Sequence, residues 1–242
     1  MASLTNRIAV VTGASRGIGR AAALALAKEG AHIIALARTV GGLEELDDEI
    51  KAMGGWATLV PADLRDFDAH DRLGKAIFDR WGKLDILVLN GAMLGPVTPL
   101  PHVTPAQWSE ALDVNVTANY RLIRSLDLLL ERSGAARVIG VTSGVVQRPR
   151  AYVGVYGTTK AAFEMMMRIY AAECENKPTR VNLIDPGVAR TKMRASFAPG
   201  EDPSTVPPPE ELGPLFVALA QPSLTSNGMR VDFRQWRDNK II

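Results

Sequence analysis

Seven short apolar stretches separated by helix-forming segments place the strongest constraint on how this chain can fold. They are Ile8 to Val11, His32 to Ala37, Trp56 to Val60, Leu84 to Leu89, Val138 to Val141, Arg180 to Ile184 and Met229 to Val231. The fourth reads Leu84-Asp85-Ile86-Leu87-Val88-Leu89. Such a nearly continuous apolar run belongs to a parallel strand covered on both faces, because a strand with one wet side would alternate. Helices are predicted over Arg20 to Glu29, Thr39 to Met53, Phe67 to Arg80, Pro105 to Arg132, Tyr152 to Glu175 and Leu215 to Ala220. Strand alternating with helix predicts an α/β fold: one doubly wound, mostly parallel seven-stranded sheet with helices on both faces. At 242 residues with no internal repeat, residues 1–242 are expected to share one core.

Ligands of such sheets sit outside the carboxyl ends of the strands, so the residue types that follow each strand carry the functional signal. After the first come Thr12-Gly13 and then Gly17 and Gly19, with the spacing G-x-x-x-G-x-G. Glycines let the backbone turn sharply and approach an anion, and the following helix offers free N–H groups to a phosphate. A plain tight turn between strand and helix is the alternative. The second strand ends in Leu36-Ala37-Arg38 with no carboxylate. An acid at this point would bind a ribose 2′-hydroxyl, whereas arginine suits a 2′-phosphate, so Arg38 with Arg16 favours NADP over NAD. A surface arginine is the competing reading of Arg38. Asn90-Gly91, Thr142-Ser143 and Asp185-Pro186-Gly187 end three further strands at the same edge.

The segment Ser143 to Lys160 supplies a hydroxyl, a phenol at Tyr156 and an amine at Lys160. Tyr156 and Lys160 are four apart and share one face of a helix. A phenol with a reference pKa of about 10 is a poor base at neutral pH, and a neighbouring ammonium favours phenolate and draws the pKa toward the working range. Alone, the pair reads first as a solvated helix face with an amphipathic Tyr, and only its company makes it chemical. Asn115, inside the long helix, is either a polar residue bonded to nearby backbone or a functional one.

Other features exclude function classes. The net charge is +2 without a run of Lys and Arg longer than two, which gives no footprint for nucleic acid. No apolar run reaches the ~18 residues of a membrane span. The start MASLTNRIAVVTG passes straight into a strand, so no signal peptide and a cytoplasmic location are expected. The single cysteine, Cys174, reads as a buried structural thiol, and three scattered histidines argue against a metal site. Residues 188–214 are rich in proline and acid and read as a substrate lid, and Arg230, Arg234 and Arg237 read as a solvated tail.

Taken together, these motifs resemble the short-chain dehydrogenase/reductase family, the type with TGxxxGxG and YxxxK signatures. Thr12-Gly13-Ala14-Ser15-Arg16-Gly17-Ile18-Gly19 is similar to its cofactor turn, Asp63-Leu64 to the pair that meets adenine, and Asn90-Gly91-Ala92 to its Asn-Ala-Gly with the last two exchanged. Asn115, Ser143, Tyr156 and Lys160 match its four catalytic positions, and Pro186-Gly187-Val188 with Thr191 its nicotinamide segment. The stretches 190–195 and 228–232 resemble a poorly characterised subgroup of bacterial reductases. The resemblance implies a Rossmann-like fold and NADP(H)-dependent hydride transfer to or from a carbonyl or alcohol substrate. Tyr156 would be the general acid/base, Ser143 a hydrogen-bond donor to the substrate oxygen, and Lys160 the ligand of the nicotinamide ribose. Asn115 would hold a water next to Lys160 through a helix irregularity. The resemblance also implies a homodimer or homotetramer built on the two long central helices. Met93, Leu94 and Phe197 near the cleft would suit a partly apolar substrate. A regulator that binds cofactor without turnover is the alternative.

Overall fold

The computed structural model describes residues 3–239. Among them, seven strands form one sheet: β1 (Ile8–Thr12), β2 (His32–Ala37), β3 (Ala57–Pro61), β4 (Ile86–Leu89), β5 (Arg137–Val141), β6 (Arg180–Asp185) and β7 (Arg230–Asp232). Their order is β3-β2-β1-β4-β5-β6-β7, and every neighbouring pair is parallel, so the expectation of a mostly parallel sheet sharpens to an all-parallel one. The strand order reverses between β1 and β4, which opens a crevice at their carboxyl ends.

Helices cover both faces. On one side lie α1 (Gly17–Lys28), α2 (Val40–Ala52) and α8 (Gly213–Ala220), which bury Leu26, Leu46 and Phe216. On the other lie α3 (Phe67–Trp81), α5 (Ala118–Glu131) and α6 (Gly154–Glu173), which bury Leu73, Leu126 and Phe163. Burial of each such side chain contributes about 1.5–3 kcal/mol, and these two layers enclose the sheet between them. Local signals set the helix ends. Asp66 accepts a hydrogen bond from the Ala69 N–H to start α3, and Gly82 stops it in the left-handed conformation. Thr104 and Gln107 form a capping box ahead of α4 (Pro105–Leu112), with Pro105 at the first helical position.

Three segments depart from the sequence expectations. The helix predicted over Pro105 to Arg132 is interrupted by a π turn over Asp113–Thr117, so α4 and α5 are separate. Residues 188–214 hold a short helix, α7 (Lys192–Phe197), and two 3-10 turns, and the segment ends on buried Val206, Pro209 and Leu212. The arginine-rich end keeps Arg234 and Arg237 exposed, as expected of a solvated tail, but is not one throughout. It forms α9 (Phe233–Asn239) with Phe233 and Trp236 buried, and the Arg230 side chain is only 8% exposed. No helix among the described residues is long and apolar enough to cross a membrane. Cys174 is buried and free of any disulfide.

Candidate functional site

The crevice is walled first by the turn after β1. Gly13 has φ +66, a backbone region closed to most side chains. A Cβ on Gly19 would run into the Gly13 carbonyl oxygen and approach Asn90 Nδ2 to 2.5 Å. Thr12 clasps this turn to the end of β4. Its hydroxyl donates to the Val88 carbonyl (3.2 Å) and accepts from the N–H groups of Asn90 (3.0 Å) and Gly91 (2.9 Å). Asn90 Nδ2 returns a bond to the Thr12 carbonyl (2.9 Å). Helix α1 then starts at Gly17 behind Arg16, with no side-chain cap and no acid in its first turn, so its leading N–H groups are free for an anion. Ser15, Arg16, Gly17 and Ile18 line the cleft, while Gly13 lines it and Gly19 packs behind it.

At the outer end of the cleft stands Arg38, 63% exposed, with a guanidinium nitrogen 3.6 Å from the Asp63 carboxylate. Hydrogen bonds from Arg65, with Arg38 adding its charge, lower the Asp63 carboxyl to about 2, against burial acting the other way. Leu64 packs against Gly91, where a Cβ would lie 2.7 Å from Leu64 Cδ1. These contacts leave a cradle with close backbone approach, an uncapped helix start and an exposed guanidinium held only by a long ion pair, and that set fits a phosphorylated dinucleotide.

The inner end is built by β5, α6 and the π turn. Ser143 caps the 3-10 turn after β5, its hydroxyl accepting from the Val145 N–H at 3.4 Å. Tyr156 and Lys160 lie on the same face of α6 and both line the cleft. Lys160 is buried, its ammonium donating to the Val141 carbonyl at 2.8 Å and lying 5.8 Å from the centre of the Tyr156 ring. The expected lowering of Tyr156 by Lys160 is not what the structure gives. Burial raises the phenol, a hydrogen bond with Ser143 draws it back, and the Asp185 charge raises it again. Burial likewise brings Lys160 down to about 8. Desolvation disfavours each charged form and is the largest influence on both groups.

Asn115 sits in the π turn, 2% exposed, and its side chain is fully engaged. Oδ1 accepts from the Met93 N–H (2.8 Å), and Nδ2 donates to the Met93 carbonyl (2.9 Å) and to Thr159 Oγ1 (2.9 Å). Asn115 thus pins the loop after β4 to α6. The segment after β6 closes the opposite wall. Gly187 has φ +64 and its N–H bonds to Asp185 Oδ1 at 3.0 Å. Pro186 and Thr191 line the cleft, Thr191 also capping α7, and the half-buried Val188 continues the turn between them. A Cβ on Gly17 would lie 3.2 Å from Thr191 Cγ2, so the two walls nearly meet. Met93 and Leu94 line the cleft, whereas Phe197 packs under the Arg194 guanidinium. Sequence reasoning missed Thr159, Glu164 and Arg230, because the Asn115–Thr159 and Arg230–Glu164 bonds span 44 and 66 residues and leave no local signature. Thr12 was legible only as part of a motif.

A doubly wound parallel sheet with a glycine turn at its switch point defines a dinucleotide-binding α/β protein. Residues 7–202 match the family described as short chain dehydrogenase. The chain is 36% identical over 241 residues to the uncharacterized oxidoreductase YciK of Escherichia coli, covering 97% of this chain and 94% of that protein. It is 35% identical to a short chain dehydrogenase solved from Salmonella enterica serovar Typhi, with a TM-score of 0.92 and coverage of 96% and 98% of the two chains. A chain solved from Escherichia coli CFT073 in complex with NADPH gives 35% identity, a TM-score of 0.90 and coverage of 96% and 98%. The protein therefore belongs to the short chain dehydrogenase family of oxidoreductases.

Proposed function

We propose that the protein is an NADP(H)-dependent reductase or dehydrogenase acting on a carbonyl or secondary alcohol, with Tyr156 as general acid/base. The observation that carries this reading is that Tyr156 and Lys160 line one wall of the same cleft whose other end is the glycine turn and Arg38. A structural relative solved with NADPH supports the choice of cofactor. When bound, NADP supplies or takes up the hydride. In the reducing direction Tyr156 gives its proton to the substrate oxygen, and the Ser143 hydroxyl donates a hydrogen bond to that oxygen as negative charge develops. Lys160, buried beside the ring, binds the nicotinamide ribose and keeps a positive charge near the phenol. Asn115 keeps the Met93 loop and α6 in register, and with them the distance between Lys160 and the cleft wall. Gly13, Gly17 and the start of α1 hold the pyrophosphate, Arg16 and Arg38 the 2′-phosphate, Asp63 and Leu64 the adenine, and Pro186 to Thr191 the nicotinamide amide. Residues 188–214 act as a lid over a partly apolar carbonyl compound.

The test is Tyr156→Phe. Consumption of NADPH against a panel of ketones and aldehydes should fall about 10²- to 10⁴-fold, as loss of a general acid does. Fluorescence titration should show NADPH binding unchanged. A wild-type protein that binds NADPH and turns over nothing in the panel would favour a cofactor-binding regulator. Arg38→Asp should move the preference from NADP toward NAD about tenfold, the effect of ~1.4 kcal/mol. An unchanged ratio would remove Arg38 from the assignment. The exposed Tyr120, Met165 and Ile169 on neighbouring faces of α5 and α6 support a homodimer or homotetramer through these helices. Light scattering of Met165→Glu should then report a smaller particle than wild type.

A further inference from the structure

A cluster of buried charges lies directly behind the inner end of the cleft, and nothing in the scheme above uses it. Glu164, on α6 one turn beyond Lys160, accepts from the Thr142 hydroxyl at 2.7 Å and from Arg168 at 2.7 Å. Arg230, on the last strand, reaches Glu164 at 3.3 Å and Asp185 at 2.7 Å, and a long bond of 3.5 Å runs from its Nη2 to the Ser143 carbonyl. Asp185 in turn holds the Gly187 N–H and lies against Gly144, where a Cβ would sit 3.3 Å from its Oδ2. The side chains of Arg230, Glu164 and Asp185 are 8%, 5% and 5% exposed. Arg230 thereby ties the residue before the Ser143 turn to the residue before the Pro186–Gly187 turn.

Buried charges are tolerated when paired, and their fields reach further in a poorly solvated interior than at a surface. The groups around the Tyr156 hydroxyl are Ser143 from the end of β5, through a hydrogen bond, and Asp185 from β6, through its charge, with Lys160 of α6 5.8 Å from the ring centre; Glu164 of α6 and Arg230 of β7 stand behind Ser143 and Asp185. Lys192 of α7 lines the cleft mouth. We propose that Arg230 and Asp185 are a positioning pair that fixes the two turns flanking the cleft and balances the charge presented to Tyr156. The pair neither touches substrate nor moves a proton. Asp185 holds Gly187 in place, and Arg230 neutralises the carboxylate that would otherwise hold the phenol in its protonated form. The raising influence of Asp185 on Tyr156 agrees with this arrangement.

The inference rests on Tyr156 as general acid/base and is tested without relying on turnover. Tyrosine ring-labelled with carbon-13 reports the protonation midpoint of each phenol by NMR, and loss of one resonance in Tyr156→Phe assigns the relevant signal. The measurement is made on the NADP⁺-bound protein, whose cationic ring favours phenolate. Asp185→Asn, close to isosteric, should lower the Tyr156 midpoint by about one pH unit, and Arg230→Met should raise it by about as much. Arg230→Lys should stay near wild type, and Arg230→Met combined with Asp185→Asn should return toward it. Asp185→Asn stands as the test on its own if Arg230→Met does not fold. Unmoved midpoints, shifts of the same sign in both single variants, or a phenol that stays protonated until each protein unfolds would overturn the proposal. Turnover retained in Tyr156→Phe would instead overturn the proposed function, whatever the midpoints do.

Discussion

Two buried cations at opposite edges of the sheet, Arg137 and Lys160, are treated in opposite ways. At the amino edge, arginines are spent on backbone carbonyls. Arg137 donates to the carbonyls of Ala136, Pro178, Gln221, Pro222 and Leu224, and Arg7 to those of Asp85 and Ala135. Asp85, 1% exposed, accepts from the Ile8 N–H and from the Ser133 hydroxyl. These bonds sew loops onto strand starts. At the carboxyl edge Lys160 is just as buried but makes one bond to the protein, to the Val141 carbonyl. Burial lowers Arg137 to about 10, so it is still a cation at neutral pH, whereas Lys160 is brought to about 8, within reach of the working range. A buried cation saturated with acceptors stabilises, and one left undersatisfied is held in readiness at the expense of stability.

That contrast can be broken most forcefully at the amino edge. Arg137→Met should lower unfolding free energy by about 3–5 kcal/mol, because it strips one partner from several buried carbonyls. Urea denaturation measures the loss, and the affinity for NADPH in the folded protein should not change. At the opposite edge Gly19→Ala drives a Cβ into the Gly13–Asn90 contact. It should weaken NADPH binding about tenfold, from ~1–3 kcal/mol of overpacking, with a smaller effect on melting temperature than Arg137→Met. Lys160→Met should abolish turnover yet raise stability at pH 7 by about 1 kcal/mol, since the removed burial penalty exceeds one hydrogen bond of similar size. The sign with pH is fixed. Between about 8 and 10.5 the unfolded lysine binds more protons than the folded one, so wild-type stability rises through that window relative to the variant. Calorimetry at several pH values should show the gap close. The smallest effect belongs to Asp63, whose lowered pKa contributes stability above about 3.8 that is lost as pH falls toward 2. Asp63 is partly solvated, so Asp63→Asn should shift the acid-unfolding midpoint only slightly.

The elements near the site were legible to very different degrees. β2 falls on the residues that its apolar run marks, His32–Ala37, and β1, β4 and β5 are displaced by only a residue or two. Strands buried on both faces cannot hide polar residues, so their composition betrays them. Caps are similarly local, and the Thr104-Pro105 start of α4 is written in two residues. The π turn at Asp113–Thr117 is not: Asn115 and its neighbours suit a helix interior, the irregularity there was expected only through the family resemblance, and the extra residue answers to the Met93 loop and Thr159. Arg230 shows the limit most clearly. Beside Arg234 and Arg237 it looks like one of three solvated cations, and only the β6–β7 pairing brings it to Asp185 and Glu164. The direction of the Tyr156 shift was misjudged for the same reason, since the sequence displays the lysine four residues away but not the depth of the wall around it.

The parallel register of β6 and β7 also dictates an order of assembly. β1 gains β4 only after a stretch of more than 70 residues has been made, so during synthesis one flank of β1 stands open and sticky until Val88 has emerged. Arg230 arrives later still, on a three-residue strand docked at the rim. Until it docks, Glu164 and Asp185 lack the arginine they share, although the glycine turn and the phenol are already in the chain. The last strand therefore closes a charge network whose other members, Glu164 and Asp185, are laid down earlier in the chain.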